Sequence, residues 1–377
     1  MDGKLWKLLQ GAYGVLDGGR LFYLKLSERL MELGLHKVHS DGALFTYVKD
    51  GKLQGLIAIH VDDLMMAGNK RFQIDVEEKL QEFFKFSKVE RNSFTYCGCY
   101  IVSKEDGTIE LDQNDYIETL EQMERIDGED DRELTEKEKK AVRGKIGALL
   151  WISLMTRPDV SFDVNMLSSE VSKGTVKTVK EVNRVIRKAK QSRNKLRFTK
   201  LGDVSELMVK VYADASFSNQ DQAIRSTSGR VVLLGSKEGK NVNIASWKTK
   251  KISRVCRSVK GAETRALEEA LDEAIHTGRI IREIYEGKID LKNPNQIPVE
   301  ALTDSKSLWE SVHNSRQCEE RLLRNSIAGI KEMMELGMVQ SVDWVPTDKQ
   351  LADTLTKKGK KAEWLLKVAS MNRLDSC

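Results

Sequence analysis

Four carboxylates in the second half of the chain lie where the sequence predicts buried positions. They are Asp214, Glu263, Asp304 and Asp353. Two of them end apolar strand patterns, one lies on the apolar stripe of a long predicted helix, and one lies in the last predicted helix. Burying an unpaired carboxylate is costly, so proteins pair such groups or bind a metal ion with them. Four of them in one place predict a site for divalent cations and phosphate chemistry.

Each acid has a simpler interpretation when it is taken alone. An aspartate that ends a strand usually begins a turn or caps a helix, as Asp304 could do for the turn at 305–309. Glu263 could be a first-turn acid favoured by the helix dipole, and Asp353 could be a solvated helix residue. The metal site is favoured only because the order of the four acids along the chain puts them on one predicted sheet.

The elements that must position these acids alternate regularly from residue 205 onward. Strands are predicted at 207–214, 229–235, 243–249, 299–304 and 341–346, and helices at 260–286, 306–314, 318–336 and from 348. An antiparallel meander of three strands, followed by alternating helices and strands, predicts a mixed sheet with helices on its faces. Ligands of such sheets gather at the carboxyl ends of the strands, where Asp214 and Asp304 fall.

The N-terminal half contains a second acidic motif. Its pattern predicts helices at 20–34, 70–86 and 139–155, strands at 43–48, 56–61, 94–102 and 108–112, and a solvated, loop-rich stretch at 118–138. The motif His60-Val61-Asp62-Asp63 follows the strand at 56–61. Two adjacent aspartates at a hairpin tip indicate either a turn or a cation site, and the residues alone leave both interpretations open.

Two basic segments are candidates for contact with phosphates. Residues 177–200 contain ten Lys or Arg and one acid beside an apolar stripe, which is typical of either a solvated helix face or a phosphate-binding helix. The second segment precedes the long helix without an intervening acid, and its candidates are Lys248, Lys250, Lys251, Arg254 and Arg257. These five residues are expected to contact a nucleic-acid backbone, with a solvated strand end and loop as the alternative.

Length and composition limit the possible classes of protein. A chain of 377 residues is too long for one ordinary domain, and a net charge of +5 makes it mildly basic. Five cysteines fit a reducing compartment, and Cys97 and Cys99 are interpreted as core thiols because no further Cys or His cluster completes a zinc site. Since no apolar run is long enough for a membrane span and no signal peptide is recognisable, we expect an intracellular protein.

Six motifs within residues 205–377 resemble those of the ribonuclease H domain of copia-type LTR retrotransposon polyproteins and occur in the same order. They are Tyr212-Ala213-Asp214-Ala215, Arg225-Ser226-Thr227-Ser228-Gly229, Ala245-Ser246-Trp247-Lys248, Ala262-Glu263-Thr264-Arg265-Ala266-Leu267, Thr303-Asp304-Ser305-Lys306-Ser307, and Val345-Pro346-Thr347 with Gln350-Leu351-Ala352-Asp353-Thr354-Leu355-Thr356-Lys357. The resemblance implies that Asp214, Glu263, Asp304 and Asp353 ligate two magnesium or manganese ions. It also implies that the substrate is the RNA strand of an RNA–DNA hybrid. One departure is the loop 345–350, which lacks the histidine of many ribonucleases H, so we expect slow turnover.

The N-terminal half resembles the reverse transcriptase of the same family. The motif at 60–63 is similar to its Tyr-x-Asp-Asp box, with His60 in place of the tyrosine, and the flanking segments Ala12-Tyr13-Gly14 and 40–45 agree. The resemblance implies that Asp62 and Asp63 are polymerase metal ligands. In this family a further aspartate lies on a strand upstream of the Ala-Tyr-Gly segment, and it is missing here. We therefore expect no DNA polymerisation by this chain alone.

Together these resemblances predict an α+β and α/β chain with three parts. They are a truncated palm at 1–90 without fingers and without the first catalytic strand, a thumb and connection region at 91–204, and a ribonuclease H domain with a mixed five-stranded sheet at 205–377. The expected activity is two-metal cleavage of RNA in hybrids, and the alternative is a non-catalytic nucleic-acid-binding remnant of a decayed element. The implied partners are an RNA–DNA hybrid, nucleic-acid backbone and other Pol or Gag products, with no membrane. The implied compartments are the cytoplasm, the nucleus or virus-like particles.

Overall fold

The chain folds into two compact units. The computed structural model describes residues 17–217, 225–237, 240–287, 297–314, 318–360 and 362–374. The units are Met1–Glu90 with Arg279–Asn295, and Arg91–Gly278 with Gln296–Cys377. The chain mixes helices and strands throughout, which agrees with the predicted α and β class. Of the helices in the described residues, none has both the length and the apolar composition needed to cross a bilayer.

The first unit contains a four-stranded antiparallel sheet whose strands follow in chain order. The strands are β1 (His36–Lys37), β2 (Leu44–Lys49), β3 (Lys52–His60) and β4 (Asp63–Gly68). Helix α1 (Gly18–Glu32) precedes them, and α2 (Lys70–Phe72), a π-helical segment (Gln73–Glu78) and α3 (Lys79–Phe83) follow. Alternate residues of the strands, such as Phe45 and Ile57, share one apolar core with Leu26 of α1 and Leu80 of α3.

A small antiparallel sheet begins the second unit. Its strands are β5 (Ser93–Tyr96), β6 (Cys99–Ser103), β7 (Ile109–Asp112) and β8 (Leu196–Phe198). The prediction of one strand at 94–102 is wrong, because the chain turns at Cys97 and Gly98, whose φ angles are +49° and +69°. A left-handed backbone of this kind ends an extended strand and starts a hairpin.

Four α-helices lie between β7 and β8 in the chain. They are α4 (Asn114–Glu118), α5 (Glu136–Met155), α6 (Ser161–Glu170) and α7 (Val176–Gln191). Val182, Val185 and Ile186 of α7 pack against α5 and α6 in one core, as the apolar stripe predicted. Helix α5 begins with a capping box in which Thr135 and Glu138 satisfy each other's backbone N–H groups.

Several basic side chains of α7 pair with acids or carbonyl groups of this chain. The Nζ atom of Lys180 lies 2.5 Å from Asp130, and Arg184 and Lys188 both contact Asp163, at 2.8 and 2.9 Å. Lys190 donates to the carbonyl oxygen of Glu118 at 2.8 Å. The sequence left two interpretations of α7 open. These contacts favour a helix face that pairs with residues 118–138 and with α6 over a face that binds phosphates.

A buried ion pair closes the C-terminal end of α7. Arg157 is fully buried, and its Nε and Nη2 atoms each lie 2.8 Å from an oxygen of Asp159. Arg157 also donates to the carbonyl oxygens of Ala189 and Ser192, the second at 3.2 Å. The guanidinium therefore satisfies helix-end carbonyl groups that would otherwise lack a donor.

The large sheet of the second unit has the order β11-β10-β9-β12-β13. Its strands are β9 (Leu207–Ser216), β10 (Thr227–Ser236), β11 (Val242–Lys251), β12 (Val299–Thr303) and β13 (Ser341–Trp344). β9, β10 and β11 form an antiparallel meander, β12 pairs parallel to β9, and β13 pairs parallel to β12. The remaining helices are α8 (Val259–Glu286), α9 (Lys306–His313), α10 (Arg324–Glu335) and α11 (Glu363–Met371), with a 3₁₀ helix at Leu351–Leu355.

Candidate metal centre

Parallel pairing of two central strands brings two of the predicted acids together. In the register of β9 and β12, Tyr212 lies opposite Leu302. Asp214 and Asp304 each follow two residues later, so both acids emerge side by side at the carboxyl ends of neighbouring strands. The N-cap residue of α9 is Ser305 and not Asp304, so the structure does not support the simpler interpretation of Asp304 as a helix cap.

Helix α8 supplies the third acid. Ser258 precedes the helix, and its hydroxyl accepts a hydrogen bond from Gly261 N at 3.0 Å, which fixes the start of the helix. Ala262 and Ala266 pack against Ala215 of β9, and their small side chains allow a close approach of the helix to the strand. Glu263 is thereby buried beside the strand ends, with 6% of its surface exposed.

Three carboxylates form a compact group. One oxygen each of Asp214, Glu263 and Asp304 lies within 4.8 Å of the others. The Oε2 atom of Glu263 is buried and has no hydrogen-bond partner among the described residues. A group of hard oxygen donors with an unpartnered buried oxygen matches the preference of magnesium and manganese ions. These residues therefore fit a divalent cation.

The fourth acid, Asp353, lies on the 3₁₀ helix at Leu351–Leu355, and a glycine lets that helix approach the sheet. Gly229 of β10 lies opposite Asp214 in the strand register. A Cβ atom at Gly229 would lie 2.6 Å from Thr356 Cγ2 and 3.1 Å from the Ala352 carbonyl oxygen. Only a residue without a side chain fits there, which gives the Arg-Ser-Thr-Ser-Gly motif a steric reason.

Gln350 ties the same helix to β9. Its Nε2 atom donates to the carbonyl oxygen of Ala213 at 3.0 Å, and its Oε1 atom accepts from Ala352 N at 3.1 Å. Gln350 is almost fully buried, so both bonds are shielded from water. Gln350 therefore holds the segment that carries Asp353 next to Ala213, which directly precedes Asp214 in the chain.

Two cations face Asp353. Lys357 Nζ contacts Asp353 Oδ1 and lies 3.8 Å from Asp214 Oδ2, and Lys360 Nζ lies 2.6 Å from Asp353 Oδ2. The hydroxyl of Thr356 donates to Asp214 Oδ2. Asp353 is buried and adjacent to the other acids, but it is not a member of the compact group of three.

Burial and mutual repulsion disfavour the ionised acids. Burial raises the pKa of Asp214 to about 6, against the opposing effects of Lys357 and Thr356. Burial, followed by the charges of Asp214 and Asp304, raises the pKa of Glu263 to about 9. Burial alone would lower the pKa of Lys357, but Asp214 and Asp353 outweigh it and the pKa is raised. Full ionisation of the cluster is therefore unfavourable unless a cation binds to it.

An ionic network fixes the position of α8 on the sheet. Arg230 of β10 donates from Nε to Glu273 and from Nη1 to Glu269 at 3.3 Å, and both acids belong to α8. Ser228 donates to Glu269 at 3.2 Å, and Ser246 of β11 donates to Glu273. Because Glu263 lies on the same helix, this network positions its carboxylate against β9.

The candidate basic residues lie at the same end of the sheet as the acids. Thr227 of β10 pairs with both Ser216 of β9 and Lys251 of β11, so the end of β11 is level with the end of β9. Lys250 pairs with Glu269 at 3.0 Å. Across the described ranges, no acid forms an ion pair with the other four members, Lys248, Lys251, Arg254 and Arg257. Those charges are available for a polyanion.

Asp62 and Asp63 belong to the first unit. They occupy the hairpin between β3 and β4, where His60 pairs with Asp63, and both aspartates are exposed. Val61 has a φ of +56°, an unusual conformation for a β-branched residue. Within the part of the chain that the structure describes, no third acid, His or Cys joins the two aspartates at ligand distance.

Sequence reasoning quoted the motifs but missed four positioning residues: Gly229, Gln350, Thr356 and Lys357. Thr356 and Lys357 follow Asp353 by three and four residues, a spacing that places side chains on one face of a helical turn. That spacing was a usable signal. No local pattern in the sequence indicated the roles of Gly229 and Gln350, because their contacts join segments that are more than one hundred residues apart.

Comparison with known proteins gives matches to both halves of the chain. Residues 1–132 match the family Reverse transcriptase (RNA-dependent DNA polymerase). The chain is 25% identical over 366 residues to the Retrovirus-related Pol polyprotein from transposon RE1 of Arabidopsis thaliana, covering 93% of this chain and 24% of that polyprotein. It therefore spans about a quarter of the length of that relative. A transposon Ty5-1 protein of Saccharomyces cerevisiae is 25% identical over 270 residues, covering 67% of this chain and 83% of that protein.

A solved structure is also similar to part of the chain. The N-terminal RNase H domain of a Mycobacterium tuberculosis protein, solved as a fusion with maltose-binding protein, is 17% identical in sequence. The match covers 40% of this chain and 91% of that chain, with a TM-score of 0.29.

Proposed function

We propose that the second unit cleaves RNA in RNA–DNA hybrids, since the chain is similar to copia-type retrotransposon Pol polyproteins over most of its length and its residues 1–132 match a reverse transcriptase family. One observation carries the proposal. Asp214, Glu263 and Asp304 bring carboxylate oxygens within 4.8 Å of one another at the carboxyl ends of two parallel strands. That arrangement suits divalent cations and phosphodiester hydrolysis.

The proposed ligands are the three clustered acids, with Asp353 as the fourth. Two divalent ions at such a site supply an activated water and stabilise the leaving 3′ oxygen of a phosphodiester. The chain's own residues keep the ligands in place. Thr356 donates to one oxygen of Asp214, which orients that carboxylate, and the Ala215 amide supports Glu263 from its strand. Preorganised ligands avoid the cost of ordering them during the reaction.

The unpaired cations at the end of β11 and in the loop after it are proposed to hold the substrate. Lys248, Lys251, Arg254 and Arg257 have no acidic partner among the described residues. Contacts with phosphates of this kind are independent of sequence and weaken with salt. Lys250 is the weaker candidate, because Glu269 already neutralises it.

We assign cleavage rather than DNA synthesis to this chain. Asp62 and Asp63 are proposed as counterparts of the polymerase aspartates, but the described residues provide no third ligand beside them. Purified protein is therefore expected to give no extension of a DNA primer on an RNA template. Extension above the level of an Asp62→Asn, Asp63→Asn variant would contradict this assignment.

The proposal is tested by cleavage of a labelled RNA–DNA hybrid with magnesium. Wild-type protein should cut the RNA strand, EDTA should stop the reaction, and Asp214→Asn should reduce the rate by at least about 100-fold, the scale of losing a principal charge-stabilising group. Double-stranded RNA and double-stranded DNA of the same sequence serve as control substrates.

Three outcomes are informative. Equal cleavage by wild type and Asp214→Asn would refute the site. Cleavage of double-stranded RNA at the rate of the hybrid would refute the substrate. Tight hybrid binding without any cleavage would instead support the non-catalytic binding function.

A further inference from the structure

Lys357 lies between two acids of the proposed metal centre. Its Nζ atom contacts Asp353 Oδ1 and lies 3.8 Å from Asp214 Oδ2. The ammonium group therefore stands where a cation shared by Asp214 and Asp353 would have to be. The second oxygen of Asp353 is held by Lys360 at 2.6 Å, so both Asp353 oxygens face an ammonium group.

The group of three acids and Asp353 differ in how closely a cation of the protein already faces their oxygens. Asp214, Glu263 and Asp304 form a group at ligand distance, and Glu263 Oε2 is buried without a partner among the described residues. Asp353 is already neutralised. A first divalent ion at the group of three meets the unpartnered Oε2 atom of Glu263, whereas a second ion at Asp353 must compete with two lysines for the Asp353 oxygens.

The Lys357 side chain is able to move aside. Its side chain is 36% exposed, while those of Asp214 and Asp353 are 1% and 6% exposed. A lysine side chain has four methylene carbons with rotatable bonds between them, so a partly exposed one can turn its ammonium group into water. The acids stay in place because Gln350 and Thr356 tether the segments that carry them.

We propose that Lys357 is an internal cation that occupies the position of the second divalent ion, so that this ion binds only when the lysine moves aside. The inference rests on the proposed function, because it assumes that the centre works with two ions. It makes Lys357 a positioning residue that sets the order of binding: the group of three acids fills first, and the Asp214–Asp353 position fills second.

The test is a titration of the full chain with Mn²⁺, in which free Mn²⁺ is measured by electron paramagnetic resonance without nucleic acid. Wild type should bind one ion and, much more weakly, a second. Lys357→Met should bind the second ion at least about tenfold more tightly, and tenfold corresponds to about 1.4 kcal/mol. Lys357→Arg keeps the charge and should behave like wild type, and Lys358→Met, an exposed neighbour, is the matched control.

The outcomes separate this inference from the proposed function. An unchanged or weaker second site in Lys357→Met, with the first site intact, overturns the role of Lys357 alone. No Mn²⁺ binding by wild type overturns both. As a second readout, the Mn²⁺ concentration that gives half-maximal hybrid cleavage should fall in Lys357→Met and stay at the wild-type value in Lys358→Met.

Discussion

Replacing Glu263 by glutamine should stabilise the metal-free protein, although it removes a proposed metal ligand. Glu263 is buried next to Asp214 and Asp304, and burial first, then these two charges, raises its pKa to about 9. A carboxyl whose pKa is higher in the folded than in the unfolded state contributes stability at low pH. That contribution is lost as the pH rises from the unfolded pKa toward the folded one. Wild-type stability without metal should therefore fall between about pH 4.5 and pH 9.

The size of the effect follows from the pKa shift. Between the model-peptide pKa of 4.5 and an assay pH of 8, the buried carboxyl destabilises the fold by about 5 kcal/mol, at about 1.4 kcal/mol per pH unit. A glutamine amide in the same place loses about 1–3 kcal/mol if its polar atoms stay unpaired. The net expectation for Glu263→Gln at pH 8 is a gain of about 2–4 kcal/mol, whereas near pH 4.5 only the amide cost remains and the variant should be about 1–3 kcal/mol less stable than wild type.

Urea unfolding in EDTA at pH 5 and pH 8 measures this effect. The fluorescence of Trp247, which is buried in the same domain, is a suitable signal. Asp272→Asn, at an exposed position of α8, removes one charge from the same helix without touching the cluster and is the matched control. Magnesium should stabilise wild type and not Glu263→Gln. If the variant is no more stable than wild type at pH 8 in EDTA, the buried-charge argument is wrong.

Three further tests concern other parts of the second unit. Gly229→Ala should push the segment with Asp353 away from β10, reduce hybrid cleavage at least tenfold and destabilise the fold by about 1–3 kcal/mol. Gly147→Ala, which has open space around it, should change neither the cleavage rate nor the stability. Cleavage assays and urea unfolding measure these two effects. Arg157→Met should lower the free energy of unfolding by about 3–5 kcal/mol, because Asp159 stays buried without its partner. The double variant Arg157→Met, Asp159→Leu should lose less stability than Arg157→Met alone, and a larger loss in the double variant would contradict this. Arg254→Ala with Arg257→Ala should weaken hybrid binding and reduce the salt dependence by about one released ion per residue. Lys180→Ala, whose charge is paired with Asp130, should leave both unchanged.

The sequence was informative where local pattern decides structure. Strand alternation placed Asp214 and Asp304 at strand ends, and the apolar stripe of α8 placed Glu263 against the sheet. The turn at Cys97 and Gly98 was missed because left-handed backbone there depends on the hairpin rather than on residue type alone. β8 was missed because three residues are too few to show a period.

Long-range pairing explains what the sequence left open. The basic helix α7 could not be distinguished from a phosphate-binding surface, because its partner Asp130 lies fifty residues away. The position of Asp353 next to β9 could not be predicted either, because it depends on the hydrogen bond from Gln350 to Ala213, which are 137 residues apart in the chain. A spacing rule that covers one helical turn cannot identify such pairs, and only the fold brings them together.

The contact between Thr356 and Asp214 also has a consequence for the order in which the protein assembles. The two residues are 142 positions apart, whereas the meander of β9, β10 and β11 is built from neighbouring segments. Contacts that close long loops form late, because the entropy of closure is lost before the contact stabilises anything. On the ribosome, Asp214, Glu263 and Asp304 are all synthesised before the segment that carries Asp353 and Lys357. The centre is therefore completed last, and its fourth acid arrives together with the lysine that neutralises it.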